Sequence, residues 1–137
     1  MACPIRSIRI NGQVARALFD TGSIRSYIRL SLARSFPRAR LRKPLSVGLG
    51  GRVLSLRVTC LVEAQLEGYP FDFQAYPVQR IGQDETGKEI DLLIGAAAME
   101  QWGLTLDPRT GRIDLRRLKK REFTEYWSST LERSDGD

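Results

Sequence analysis

The clearest signal in the chain is a two-residue beat. From 54 to 66 every even position is apolar (Leu54, Leu56, Val58, Cys60, Val62, Ala64, Leu66), and Leu61 is the sole apolar residue among the odd ones. Side chains alternate between faces along a strand, so this reads as one long half-buried strand. Glu67-Gly68 turns it, and Phe71, Phe73 and Ala75 carry the alternation back on the opposite parity. Earlier, Ile8 and Ile10 alternate with polar residues, Asn11-Gly12 follows, and a further apolar stretch ends at Phe19. Asn-Gly between two such runs is the strongest short hairpin signal. A third hairpin is expected where Gly48, Gly50 and Gly51 lie between strand-like flanks; no helix follows them, so they do not form a phosphate loop.

Between these runs the pattern changes. "RLSLARSF" (29–36) predicts a short helix stopped by Pro37, and the basic "RARLRK" (38–43) reads as a connecting loop. "RIGQDETGKEI" (80–90) reads as an exposed polar loop. "DLLIG" (91–95) is a short strand buried on both faces, followed by a helix over "AAAMEQWG" with Gly103 in the C-terminal capping place. "LTLDPRTGRIDL" (104–115) predicts another hairpin, turning on Pro108 to Gly111. The order strand, turn, strand, apolar tripeptide, short helix occurs in 8–36 and again in 62–103, a weak internal repeat. The whole reads as an all-β domain over residues 1–118 with one or two short helices, followed by a basic and polar tail, 119–137, that starts helically.

Composition narrows the chemistry. The 137 residues suffice for one domain with a real core, and 42% hydrophobic with 28% charged residues is ordinary for a soluble globular protein. No apolar run approaches the ~20 residues that span a bilayer, and "MACPIRSIRI" lacks a signal-peptide core. With only Cys3 and Cys60, in no motif spacing, a reduced cytoplasmic setting is expected, with a lone disulfide still open. Histidine is absent, which removes Ser-His and Cys-His catalysis and most zinc chemistry. The formal charge of +6 permits acidic or nucleic-acid partners without demanding them.

One stretch is out of keeping with the pattern. "ALFDTGSIRSYI" (17–28) runs an apolar ramp into Asp20-Thr21-Gly22-Ser23, placing a carboxylate where a buried strand ends. By itself the tripeptide fits an Asx-type turn. Its context is more specific: three apolar residues lead in, Ile28 recurs after it, and Leu93-Ile94-Gly95 leads into a helix about 70 residues later.

In this order of motifs, over roughly residues 5–115, the chain resembles the retropepsins, the single-domain aspartic proteases of retroviral type and their cellular relatives. The resemblance implies a closed, barrel-like acid-protease fold forming half of a symmetric dimer. Asp20 would be the catalytic carboxylate, and Thr21 would hydrogen-bond across the dimer. Gly22 would let the substrate backbone approach, and Ser23 would donate toward the carboxylate. Gly48, Leu49, Gly50 and Gly51 would form the tip of a flap over bound peptide, and Leu93, Ile94 and Gly95 would pack beneath the catalytic loop. No metal or cofactor is implied.

The chemistry of carboxylates agrees. Peptide hydrolysis by acids needs two at one water, one ionised to take a proton and one protonated to give it. Two carboxylates about 4 Å apart at an effective dielectric near 20 repel by roughly 4 kcal/mol, so such a pair holds one proton over a wide, mildly acidic range. One Asp-Thr-Gly per chain supplies half of this, and a two-fold axis supplies the rest. The expected function is therefore a homodimeric aspartic endopeptidase acting on peptide or protein substrates.

Departures from the viral pattern are visible. Ala96 and Ala97 stand where retroviral members carry Arg and then Asp or Asn, and Ile24-Arg25 where they often carry acids. The resemblance is thus closer to cellular or bacterial members. Two other readings stay open: a catalytically silent dimer used as a peptide-binding scaffold, and a basic nucleic-acid-binding domain. Against the second, Arg38, Arg40, Arg42, Lys43, Arg116, Arg117, Lys119, Lys120 and Arg121 lack interleaved aromatics and read as solvated charge. Met99 and Trp102 read as core or dimer contacts, and Tyr126 and Trp127 as a cover for the dimer sheet or a partner contact. Glu85, Glu89 and Asp91 lack calcium-loop spacing and read as loop residues.

Overall fold

The computed structural model describes residues 3–125. Two long hairpins dominate it. β1 (Ile5–Ile10) turns at Asn11-Gly12 into β2 (Gln13–Phe19), and β5 (Arg52–Leu66) turns at Glu67-Gly68 into β6 (Tyr69–Val78). Both turn residues have positive φ in each case, the type I′ geometry whose twist matches that of the flanking strands. β3 (Tyr27–Arg29) runs into α1 (Leu30–Ala33), and β7 (Leu92–Ile94) precedes α2 (Ala96–Gln101). β4 (Arg38–Leu49) pairs with β5, β8 (Thr105–Leu106) with β9 (Ile113–Asp114), and α3 (Arg116–Lys120) closes the described chain.

The main sheet runs β1-β2-β7-β3-β6-β5-β4, and β1 meets β5 again at Arg9 and Gln65. Six strands thus form a ring whose seam is one residue pair wide. This is the expected all-β, barrel-like class, closed loosely rather than by a uniform ladder. The internal repeat is realised in the pairing. Exchanging β1 with β5, β2 with β6 and β3 with β7 turns the parallel pair β2–β7 into the parallel pair β6–β3. The hairpins exchange likewise, and the antiparallel β3–β7 pair maps onto itself.

The ring encloses Phe19, Ile28, Val62, Phe73, Leu92 and Ile94, all fully buried. Leu118 of α3 joins the same core, and Phe123 packs edge-on against Trp102. Trp102 belongs to this core: its Nε1 donates to Asp72 O at 2.6 Å and its ring meets Phe71. Met99 is buried beside it. The α2 end is a Schellman motif, with Leu104 N–H on Met99 O (2.8 Å) and Gly103 N–H on Glu100 O (3.1 Å). Tyr126 and Trp127 lie outside the described residues.

Two expectations fail. Residues 38–43 are strand rather than loop: Arg38, Ala39 and Arg40 pair with Cys60, Thr59 and Val58, and a bulge between Arg40 and Leu45 passes Pro44. The alternation is missing because β4 is a sheet edge with both faces wet there, and edge strands carry charge and Pro without penalty. Residues 80–90 are not a plain exposed loop either. Ile81 and Ile90 are buried, Gln83 bridges to Glu89, and Asp84 gathers the Thr86 and Lys88 N–H groups and the Thr86 hydroxyl. Among the described residues no helix is long and apolar enough to cross a membrane.

Candidate active site

Asp20 sits where the ring opens. β2 lies parallel to β7, with Leu18 opposite Leu93 and Phe19 opposite Ile94, and the ladder continues one step as Asp20 N–H donates to Ile94 O (3.0 Å). Phe19 N–H donates to Pro4 O at 2.9 Å, so the N-terminal segment lies against the same strand end. The backbone of Asp20 is therefore held by the most buried strands, while its side chain emerges half-buried into a turn. In that turn Oδ1 accepts the Gly22 N–H (2.8 Å) and Ser23 N–H donates to Asp20 O (3.2 Å). The Cys3 thiol stands 3.9 Å from Oδ1, and Oδ2 accepts no hydrogen bond among the described residues. The Asx turn and the available carboxylate are thus the same structure.

Beneath the loop, Gly95 is required by close approach. A Cβ there would come within 2.7 Å of Ser23 O and closer still to Arg25 O. The first turn of α2 then grips the loop through main chain. Ala96 N–H donates to Ser23 O (2.6 Å), Ala97 N–H to Ile24 O (3.1 Å), and Gly95 N–H to Ser26 Oγ (3.0 Å). The side chains of Ala96 and Ala97 supply no brace to the loop; the bonds to it from this turn are main-chain donors. Ser26 is the buried polar residue of the described core and was not anticipated. Its only trace in the sequence is one hydroxyl at the start of an apolar run. Ser23 differs from expectation in aim: its hydroxyl donates to Arg25 O (2.8 Å), not to the carboxylate. Thr21 and Gly22 are exposed.

The Gly-rich hairpin lies above a second apolar cluster. Leu49 pairs with Arg52 and Gly48 with Val53, and Gly50 and Gly51 make the turn with φ of +58° and +79°. Val47, Leu49 and Leu54 face a cluster containing Tyr27, Ile81, Ile90 and Leu93, with Leu18 at its margin. Because Leu18 and Leu93 flank the Asp20 loop, this cluster links the hairpin to the site. Arg52 Nη2 adds a bond to Arg80 O (2.7 Å), tying the hairpin to the 79–91 segment.

Charge then fixes that segment to the ring. Asp84 pairs with Arg16 of β2, and Asp91 accepts from the Arg29 guanidinium (3.0 Å) and the Arg16 N–H (2.9 Å). The Thr86 hydroxyl, then the main-chain donors and Arg16, hold the Asp84 carboxyl at about 2 against the opposing effect of burial. Burial pushes the Tyr27 phenol up, while the Arg25 charge pulls it back. No group of three or more metal-ligating side chains gathers among the described residues. A groove of about 760 Å³ starts at Thr21 and runs along α2 past Met99, Leu104 and Leu106 to Arg117, without reaching Asp20.

Among solved structures, the chain is similar to the retroviral protease-like domain of Ddi1 from Leishmania major. The two share 17% identity with a TM-score of 0.57, over 83% of this chain and 88% of that one. At that identity the likeness concerns fold alone. No curated protein matches the chain. The family model described as aspartyl protease matches residues 7–98, more than half of the sequence and inclusive of both Asp20 and Gly95. The chain belongs to the aspartyl protease family.

Proposed function

We propose that the protein is an aspartic endopeptidase that works as a homodimer, with Asp20 of each copy activating one water for attack on a peptide carbonyl. The observation that carries this reading is the Asp20 carboxylate itself. Its backbone is locked into the ring at Ile94, Oδ1 is oriented by Gly22, and Oδ2 accepts no hydrogen bond among the described residues. A second carboxylate is needed for the acid–base pair, and each chain holds one such loop. Thr21, exposed at the head of the groove along α2, supports a second copy meeting the loop from that side. The hairpin tip at Gly48–Gly51, which ends the β4–β5 ladder and rests its Val47, Leu49 and Leu54 side chains on the second apolar cluster, suits a flap over bound peptide.

Asp20→Asn keeps an oxygen for the Gly22 N–H and removes the charge, so the fold should persist and casein or peptide-library cleavage should vanish. Undiminished cleavage by that variant would dispose of the mechanism. Absence of cleavage by the unaltered protein across pH 3–8, with dimerisation demonstrated by sedimentation, would instead establish a peptide-binding scaffold of the same fold.

A further inference from the structure

The surplus positive charge of the chain sits in one place. Of its 22 lysines and arginines, six lie in residues 38–60 (Arg38, Arg40, Arg42, Lys43, Arg52 and Arg57), and that stretch contains no Asp or Glu. The rest of the chain carries 16 cations against 16 acids, so the whole formal charge of +6 belongs to this stretch. Pairing of β4 with β5 folds the stretch back on itself and gathers the charge in space. Arg38 lies opposite Cys60 and Arg40 opposite Val58, so both arginines share one face of the ribbon, about 7 Å apart along the strand. Arg57 is the chain neighbour of Val58, and Arg42 and Lys43 carry β4 on into the bulge. These five are exposed, and none has a carboxylate within 4 Å among the described residues. Surface arginines without a partner occur elsewhere. What separates this ribbon is that its paired stretch offers no acid at all; the first along β5 is Glu63, beyond the pairing with β4.

The same stretch is an open sheet edge. β4 stands last in the order of the main sheet, and no main-chain hydrogen bond outside its pairing with β5 reaches residues 38–49 among the described residues. Alternate N–H and C=O groups of residues 38–43 therefore face no strand. We propose that this edge is a docking site for an acidic, extended peptide segment, which adds to β4 as a further strand with its Asp or Glu side chains against Arg38 and Arg40. A ladder needs a partner with donors and acceptors along its backbone; a polypeptide has both, and a phosphodiester chain has acceptors alone. Side chains directly across neighbouring strands stand about 5 Å apart, within reach of a guanidinium–carboxylate pair, so acids at alternate positions face the two arginines. Pro44 and the bulge beside it confine the site to about six residues of β4. Charge on an edge strand repels stray strands, and a basic edge rejects apolar and basic ones while admitting an acidic one. The site lies at the opposite end of the hairpin from Gly48–Gly51 and stands independently of the peptidase reading.

Binding is read by fluorescence anisotropy with the whole chain carrying Asp20→Asn, so that cleavage does not intervene. The probes are Glu-Val-Glu-Thr-Glu-Val, its Gln counterpart, the Glu peptide N-methylated throughout, and a thymidine tetranucleotide. At low salt the Glu peptide should bind about tenfold tighter than the Gln peptide, and near 0.5 M salt the gap should shrink to about twofold. N-methylation keeps the carboxylates but removes the ladder donors, and should weaken binding at least about fivefold. Arg38→Gln with Arg40→Gln should cut the Glu preference to about twofold, whereas Arg109→Gln with Arg112→Gln, equally exposed on the β8–β9 turn, should leave it intact. Amide exchange should slow at residues 38–43 when the Glu peptide is bound. Equal binding of the Glu and Gln peptides, or an equal loss in the two double variants, would overturn the proposal. So would full affinity of the N-methylated peptide, tighter binding of the tetranucleotide, or unchanged exchange at 38–43. Whether the unaltered protein cuts any of the peptides bears on the peptidase reading alone.

Discussion

A methyl group at residue 95 would have nowhere to go. Its neighbours are the carbonyl oxygens of Ser23 and Arg25, which are themselves held by the loop they shape. Gly95→Ala is therefore expected to destabilise the fold by about 3 kcal/mol, since neither backbone oxygen can retreat as a side chain would. Denaturant unfolding checks this, and a loss within experimental error would contradict the packing described. The two cysteines give a second residue-scale expectation. Burial pushes the Cys60 thiol up to about 11, whereas Cys3 is exposed beside Asp20. A thiol reagent at neutral pH should label one site per chain, at Cys3, and a second only on unfolding. At this scale the sequence was legible where a residue type has few uses: Asp20 and Gly22 stand in a motif with one geometry, and Gly95 ends a buried run. Ser26 and the aim of the Ser23 hydroxyl were not legible, because a hydroxyl rotates to whichever carbonyl the fold presents.

Elements with one wet face declared themselves. The alternation of β5 and β6 and both long hairpin turns follow the sequence residue for residue. β4 did not, because its first half is an edge with no buried face to impose a period. The 79–91 segment was missed for another reason: its order comes from Asp84 and Asp91 meeting Arg16 and Arg29, partners more than 60 residues distant. That anchoring has a pH signature. The Asp84 carboxyl lies at about 2 in the folded chain against 3.8 ordinarily, so its stabilisation is complete above the ordinary value and is lost as pH falls through about 2. Asp84→Asn should lower Tm at pH 5, and the gap from the unaltered protein should close steadily toward pH 2. A gap independent of pH would show that the carboxylate does not anchor the segment.

The whole molecule is a ring with a pseudo-two-fold pairing pattern and one Asp-Thr-Gly loop. The repeat places hairpin on hairpin and β3 on β7, but only the first half ends in Asp-Thr-Gly; the matching place after β6 holds Gln79 and Arg80. Internal symmetry therefore builds the scaffold without completing the chemistry. On the function proposed above, a second copy completes it by supplying the matching acid. Whether a sequence needs a twin is legible only through this kind of shortage, since no interface pattern is written into the chain as periodicity is.

Mixing the unaltered protein with the Asp20→Asn variant tests the shared site most directly. At fixed total concentration, with subunits allowed to exchange, peptidase activity should follow the square of the unaltered fraction, so that an equal mixture retains about a quarter of the starting rate. An equal mixture retaining about half, the linear result for independent chains, would contradict a site built from two copies.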